Sequence, residues 1–181
     1  ATVPSYEDEF DKRADIYNYD LSLKNHLEEM LERDQAYRTQ WILSRQLHHE
    51  ETQDDIALRL RADSIDSLNQ VEIRQILKEH GFPKKTEVGT SACEAAWIII
   101  QHAPLDVQKE YLPMLERAAT EGNIQAALVA ALHDRIDVRE GRPQKYGTQR
   151  NHNGICPLLN KKMVNQWRKE VGLPPFDEYS K

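Results

Sequence analysis

Three short stretches place polar side chains on helix rows that are otherwise apolar: Asp34, Gln35 and Arg38; Gln101 and His102; Asp134 and Arg135. A polar group buried alone is costly, so each must be hydrogen-bonded, paired, or turned toward a guest molecule. A fourth stretch, Arg142-Pro143-Gln144-Lys145-Tyr146-Gly147-Thr148-Gln149, concentrates amide, phenol and hydroxyl groups in loop composition. Gly147 would supply a backbone turn there that a side chain would obstruct.

On a helix, His102 lies in line with Ala95, Ile98 and Ile99, so it points inward or into a cleft at the helix end. Two readings stay open. It is a core histidine satisfied by one partner, or a general acid/base whose imidazole titrates near neutral pH. Asp134 and Arg135 are adjacent and diverge by about 100° on a helix, so they do not face each other. Arg135 is expected to pair with Asp34, as a buried ion pair or as part of an anion clamp, since guanidinium grips carboxylate or phosphate in a two-pronged fork. Asp34 with Arg38 at the i,i+4 spacing is the alternative.

Other chemistries lack their signatures. No Glu-x-x-His pair, His-Glu-x-x-His, EF-hand loop, phosphate-binding glycine loop or Gly-x-Ser-x-Gly elbow occurs. His48-His49-Glu50-Glu51 reads as a solvated charged segment, and His102, His133 and His152 converge only through tertiary packing, so no metal is expected. Cys93 falls in an apolar helical pattern and reads as a buried thiol, whereas Cys156 reads as exposable. Trp41, Trp97 and Trp167 read as core or seam residues.

The elements that position these groups are helical. The chain has 181 residues, enough for one domain, with a mean hydropathy of −0.74 and 30% charged residues. Residues 1–20 mix acids and tyrosines without periodicity and read as an arm, docked or frayed. From Leu21, steps of four and three place Leu23, Leu27, Met30, Asp34, Tyr37 and Trp41 on one row. A second helix is expected over Ser67–His80, opened by a Ser67-x-x-Gln70 capping box and closed at Gly81. After a Lys84–Thr90 loop, Ser91-x-x-Glu94 opens an apolar helix that ends before Pro104. Further helices are expected over Leu105–Thr120, with Pro113 kinking or splitting it; over Ile124–Val138, with Asn123 as N-cap; and over Lys161–Val171. Ile155–Leu159 reads as a short extended piece. The fold class is all-α: 21–181 as a single irregular bundle of about six or seven helices with the polar loop over one end.

Net charge is −6 and the pI near 5.7, which argues against broad contact with a nucleic-acid backbone. The longest uncharged apolar run, Ala95–Ile100, is far below the roughly 20 residues that span a bilayer. A cytoplasmic location is expected. The start Ala1-Thr2-Val3-Pro4 reads as processed or trimmed, so a removed signal peptide stays open.

Together Asp34-Gln35-x-x-Arg38, Asn69, Gly81-Phe82-Pro83, Val88-Gly89, Ala95-Ala96-Trp97, Gln101-His102-Ala103, Asp134-Arg135 and Gln144-x-Tyr146-Gly147-Thr148-Gln149 resemble a bacterial family known as domain of unknown function 6624. The resemblance covers about Leu21–Tyr179 and extends to Asn165, Arg168 and Gly172-Leu173. Phe82 stands where the family commonly has tryptophan. The resemblance implies no reaction and no location. Its motif residues coincide with the polar positions that the helical period singles out.

The expected function is that of a small-molecule enzyme: cofactor-free, metal-independent hydrolysis, cyclisation or elimination on a modest polar or anionic substrate. His102, Asp134 and Arg135 are the candidate catalytic residues. Asp34, Gln35, Arg38, Gln101, Gln144, Tyr146, Thr148 and Gln149 are the candidate substrate-binding residues. The alternative is a binding or protein-interaction module whose polar network fixes helix register, and a third possibility is a ligand sensor without turnover.

Overall fold

The structure is a computed structural model and describes residues 18–47, 51–151 and 153–176. Residues 1–17 of the expected arm lie outside the described residues, as do His48, His49, Glu50, His152 and the last five residues. The chain divides after Ala103 into two compact units.

The first unit is a three-helix assembly of α1 (Leu21–Leu47), α2 (Gln53–His80) and α3 (Lys85–His102), each packed against the other two. The end of the arm is docked: the Asp20 amide donates to Glu87 O at 2.8 Å. Its side chain accepts from the Leu23 amide at 3.0 Å, the bond of an N-cap. Leu27, Met30 and Asp34 of α1 are buried on the row that the period marks. Ala92, Cys93, Ala95, Ala96, Ile99 and Ile100 bury α3 as the most apolar helix of this unit.

Two helix starts differ from the expected ones. α2 begins fourteen residues before Ser67, at Gln53. Its capping box is Thr52–Asp55: the Asp55 amide donates to Thr52 Oγ1 at 3.1 Å, and the Thr52 amide donates to Asp55 Oδ2 at 2.8 Å. Ser67 sits inside the helix and donates to Asp63 O, so its spacing from Gln70 only imitates a cap. Likewise α3 takes in a short turn from Lys85, inside the expected loop; Gly89 (φ 81°, ψ 172°) is non-helical and separates that turn from the main helix, which begins beside the expected start. Ser91 is not its cap. The hydroxyl donates instead to Glu28 Oε1 on α1.

The second unit contains α4 (Leu105–Thr120) packed on α5 (Ala126–Arg139), a two-residue hairpin of β1 (Arg150–Asn151) and β2 (Gly154–Ile155), and α6 (Val164–Glu170). Pro113 lies within one continuous α4, neither splitting it nor ending it. Gln125, not Asn123, is the N-cap of α5. The Asn123 amide closes the preceding turn by donating to Ala118 O at 2.8 Å. The hairpin is an addition to the expected all-α fold, and its two-residue strands are too short for an alternating pattern to mark them. Cys156 is 3% exposed, against the expectation of an exposable thiol, because the Gln144 side chain and the Gln149 carbonyl both bond its backbone. Both cysteines are free thiols. Among the described residues the fold is therefore all-α apart from that hairpin and an isolated Gln144–Leu158 bridge. No helix among the described residues is long and apolar enough to cross a membrane.

Candidate functional site

In the first unit, α1 supplies Asp34, Gln35 and Arg38, α2 supplies Asp66, and the last residue of α3 is His102. Asp34 is 1% exposed, whereas the side chains of Arg38, Asp66 and His102 keep 17%, 19% and 18% of their surface. The deep carboxylate thus stands behind three partly open groups. His102 Nδ1 lies 3.0 Å from both Asp34 oxygens. A carboxylate only accepts, so Nδ1 carries the proton, and Nε2 is the nitrogen left to take up or release one. Gln35 Nε2 donates to Asp34 Oδ2 at 2.7 Å and fixes the carboxylate from its other side.

Arg38 spans two acids. Its Nη2 donates to Asp66 Oδ1 at 2.5 Å, and its Nε reaches Asp34 Oδ2 at 3.4 Å. The contact with Asp34 is the i,i+4 pair that the sequence offers. The guanidinium fork is engaged by carboxylates of its own chain.

The two acids are driven apart. Burial alone would raise the Asp34 carboxyl, but the hydrogen bond and charge of His102, joined by Arg38, hold it below the ordinary carboxylate value. Burial pushes the Asp66 carboxyl up, and the Asp34 charge adds to that, outweighing the hydrogen bond and charge of Arg38.

Asp66 has no place among the sequence candidates, because the expected second helix opens only at Ser67, one residue beyond it. The signal lies in the row Ala62, Asp66, Asn69, Ile73, Ile76, spaced four, three, four and three, in which every other member is buried. Asn69, from the same row, accepts from Arg33 Nε at 2.6 Å and donates to Met30 O at 3.2 Å, tying α2 to α1. Gln101 is buried beside His102.

In the second unit, the Gln144–Gln149 loop is built around Asp134. Asp134 Oδ1 accepts from the amides of Lys145 (2.8 Å) and Tyr146 (2.9 Å). Its Oδ2 accepts from the Thr148 amide and hydroxyl (both 2.9 Å) and from the Tyr146 amide (3.2 Å). Gln144 is equally engaged. Its Nε2 donates to Gln149 O and Cys156 O, each at 2.9 Å, and its Oε1 accepts from the Gln149 amide at 2.8 Å. Gln149 Nε2 reaches Ala131 O at 3.3 Å. Arg168 of α6 donates to Tyr146 O at 2.7 Å and Pro174 O at 2.6 Å. Gly147 adopts φ +69°, and a Cβ there would lie 2.7 Å from the Phe176 ring. On α5, Asp134 is buried together with Val129, Ala130, Leu132 and Ile136, whereas Arg135 is half-buried. Tyr146 borders a cleft of about 260 Å³ with Ala119, Val129, Ala130, His133 and Val171.

The motif stretches of the sequence therefore form two built clusters, one in each unit. The model of a family of unknown function matches residues 21–181. The chain belongs to that family, DUF6624. No curated protein and no solved structure matches the chain. For this DUF6624 member, any functional reading rests on the geometry of the two clusters.

Proposed function

We propose that the Asp34–His102 dyad is the working centre of a small-molecule enzyme. In this reading His102 transfers a proton at Nε2 in a hydrolysis, cyclisation or elimination on a modest polar substrate. The observation that carries the reading is the double 3.0 Å contact of Nδ1 with a carboxylate that is itself 1% exposed. Such a carboxylate sets the tautomer, holds the ring at one angle, and stabilises the imidazolium that forms on proton uptake. Asp34 is the positioning residue. Asp66, paired with Arg38 at the open side of the cluster, is the group that fixes the guanidinium beside the dyad. With Arg38 engaged by two acids, the site favours a neutral or hydrogen-donating substrate group over a strongly anionic one.

A second reading, a binding module without turnover, draws on the other cluster. Asp134 and Gln144 direct their hydrogen bonds into the loop backbone, as scaffold residues do, and the side chain they leave beside a cleft is Tyr146.

The test is a screen of the wild-type protein against chromogenic esters, amides, lactones and leaving-group ethers, repeated with His102→Gln and Asp34→Asn. General acid/base catalysis by His102 predicts a loss of about 10²–10⁴-fold in turnover for His102→Gln with an unchanged circular dichroism spectrum. Asp34→Asn should fall by at least about tenfold. Undiminished turnover in His102→Gln removes this histidine from the chemistry.

A further inference from the structure

From the same cluster we infer a divalent-cation site formed by Asp34, Asp66 and His102, in which the ion takes the place now held by the Arg38 guanidinium. The inference uses side chains of the acid–base reading but does not depend on it, since an ion can bind whether or not the ring transfers protons.

The geometry comes first. One ligand atom from each of the three residues lies within 4.8 Å of the other two, drawn from three different helices. Ligands about 2.0–2.2 Å from a common ion are separated by about 3–4.4 Å, so small side-chain adjustments complete the set. The separation of 3.0 Å between His102 Nδ1 and each Asp34 oxygen already falls in that range. The support around the ligands is of the kind that metal sites use. Gln35 Nε2 holds Asp34 Oδ2 at 2.7 Å, which orients a ligating carboxylate.

Charge gives the second argument. Two carboxylates face one guanidinium, so with a neutral imidazole the cluster carries one excess negative charge. Replacing Arg38 by a divalent ion removes that excess. Arg38 is the natural group to leave: it is 17% exposed, its link to Asp34 is a long 3.4 Å, and a flexible stem lets the head turn to water. Two oxygen ligands and one imidazole suit zinc, manganese or iron(II) better than magnesium or calcium, which favour all-oxygen sets. Three protein ligands leave a coordination position for water or a substrate atom. His102 Nδ1 holds a proton against Asp34, so ligation through it displaces that proton and leaves Nε2 as the protonated nitrogen; the ion-bound ring and the ring with a free Nε2 therefore exclude each other.

The experiment is calorimetric titration of the chelator-treated full chain with Zn²⁺, and separately Mn²⁺ followed by loss of its free electron-spin-resonance signal. The expected result is one ion per chain, weakened at least about tenfold by Asp66→Asn and by His102→Gln. Arg38→Gln should strengthen binding by about tenfold, because it removes the resident competitor. Exposed histidines elsewhere predict the opposite pattern, with binding indifferent to all three substitutions. That pattern, or no binding by either wild type or Arg38→Gln at millimolar ion, overturns the site. Asp66→Asn and His102→Gln nearly preserve shape, and circular dichroism confirms that each is folded. Because the readout needs no substrate, its failure leaves the turnover test standing, and the reverse holds as well.

Discussion

Asp134 turns a helix side chain into the foundation of a loop. Five contacts of 2.8–3.2 Å converge on its two oxygens, and four come from backbone amides that have no partner in a helix or sheet. Asp134→Asn would set an amide NH₂ against those donors while keeping the shape. Leaving a buried donor facing a donor costs about 1–3 kcal/mol. The expected outcome is a lower urea midpoint together with faster hydrogen exchange at the Lys145, Tyr146 and Thr148 amides. Gly147→Ala acts in the same loop by another route, combining a left-handed backbone with a Cβ 2.7 Å from Phe176. About 1–3 kcal/mol of destabilisation is expected. Gly122→Ala is the control, with similar φ but open space around it, so a larger fall in melting temperature for Gly147→Ala isolates the steric part. Cys93 presents a different case. Burial pushes its thiol up to about 12. The thiolate is the reactive form, so Cys93 should resist alkylation in the native protein at pH 8 and react once urea unfolds it, as peptide mass spectrometry would show.

The helices show where sequence reading succeeds and where it stops. The buried rows of α1 and α3 are legible because apolar residues recur at a helical step, and a polar residue on such a row stands out. The first half of α2 is not legible. Charged residues crowd it, and its true cap, Thr52-x-x-Asp55, has an aspartate at the third position where a capping box is expected to carry Glu or Gln. The Ser67 and Ser91 hydroxyls imitate caps, yet one turns back onto its own helix and the other crosses to α1, and only tertiary packing distinguishes these uses. Asp66 lies at the end of that half-helix, so the sequence does not mark it as a member of the dyad cluster. The Thr52–Asp55 box also carries a pH signature. The hydrogen bond from Ser44, the Thr52 amide and the Thr52 hydroxyl lower the Asp55 carboxyl from 3.8 to about 2. A folded value below the unfolded one stabilises the protein above pH 4, and that contribution fades as pH falls toward 2. The melting-temperature gap between wild type and Asp55→Asn should therefore be open at pH 6 and closing at pH 2.5.

Across the whole chain, the all-helical character follows from composition and period, whereas the partners of each polar group do not. The sequence marks Asp34, Arg38, His102 and Asp134 as anomalous, but their partners require coordinates, because helix periodicity fixes a face and not a neighbour. The two compact units give a prediction at this level. A lesion such as Gly147→Ala should accelerate hydrogen exchange within 104–181 first, while the amides of α1 and α3 keep their protection. Equal acceleration on both sides of Ala103 would show that the units unfold as one.

The guanidinium of Arg38, bridging α1 to a carboxylate on α2, has one more consequence. Sliding one helix along the other by a single turn, about 5.4 Å, would strand Asp66 without a cation and part Asn69 from Met30. A misregistered bundle would therefore lose every cross-helix bond of this cluster in the same step. The buried polar groups thus penalise a slipped pairing of α1 and α2 more sharply than apolar contacts would.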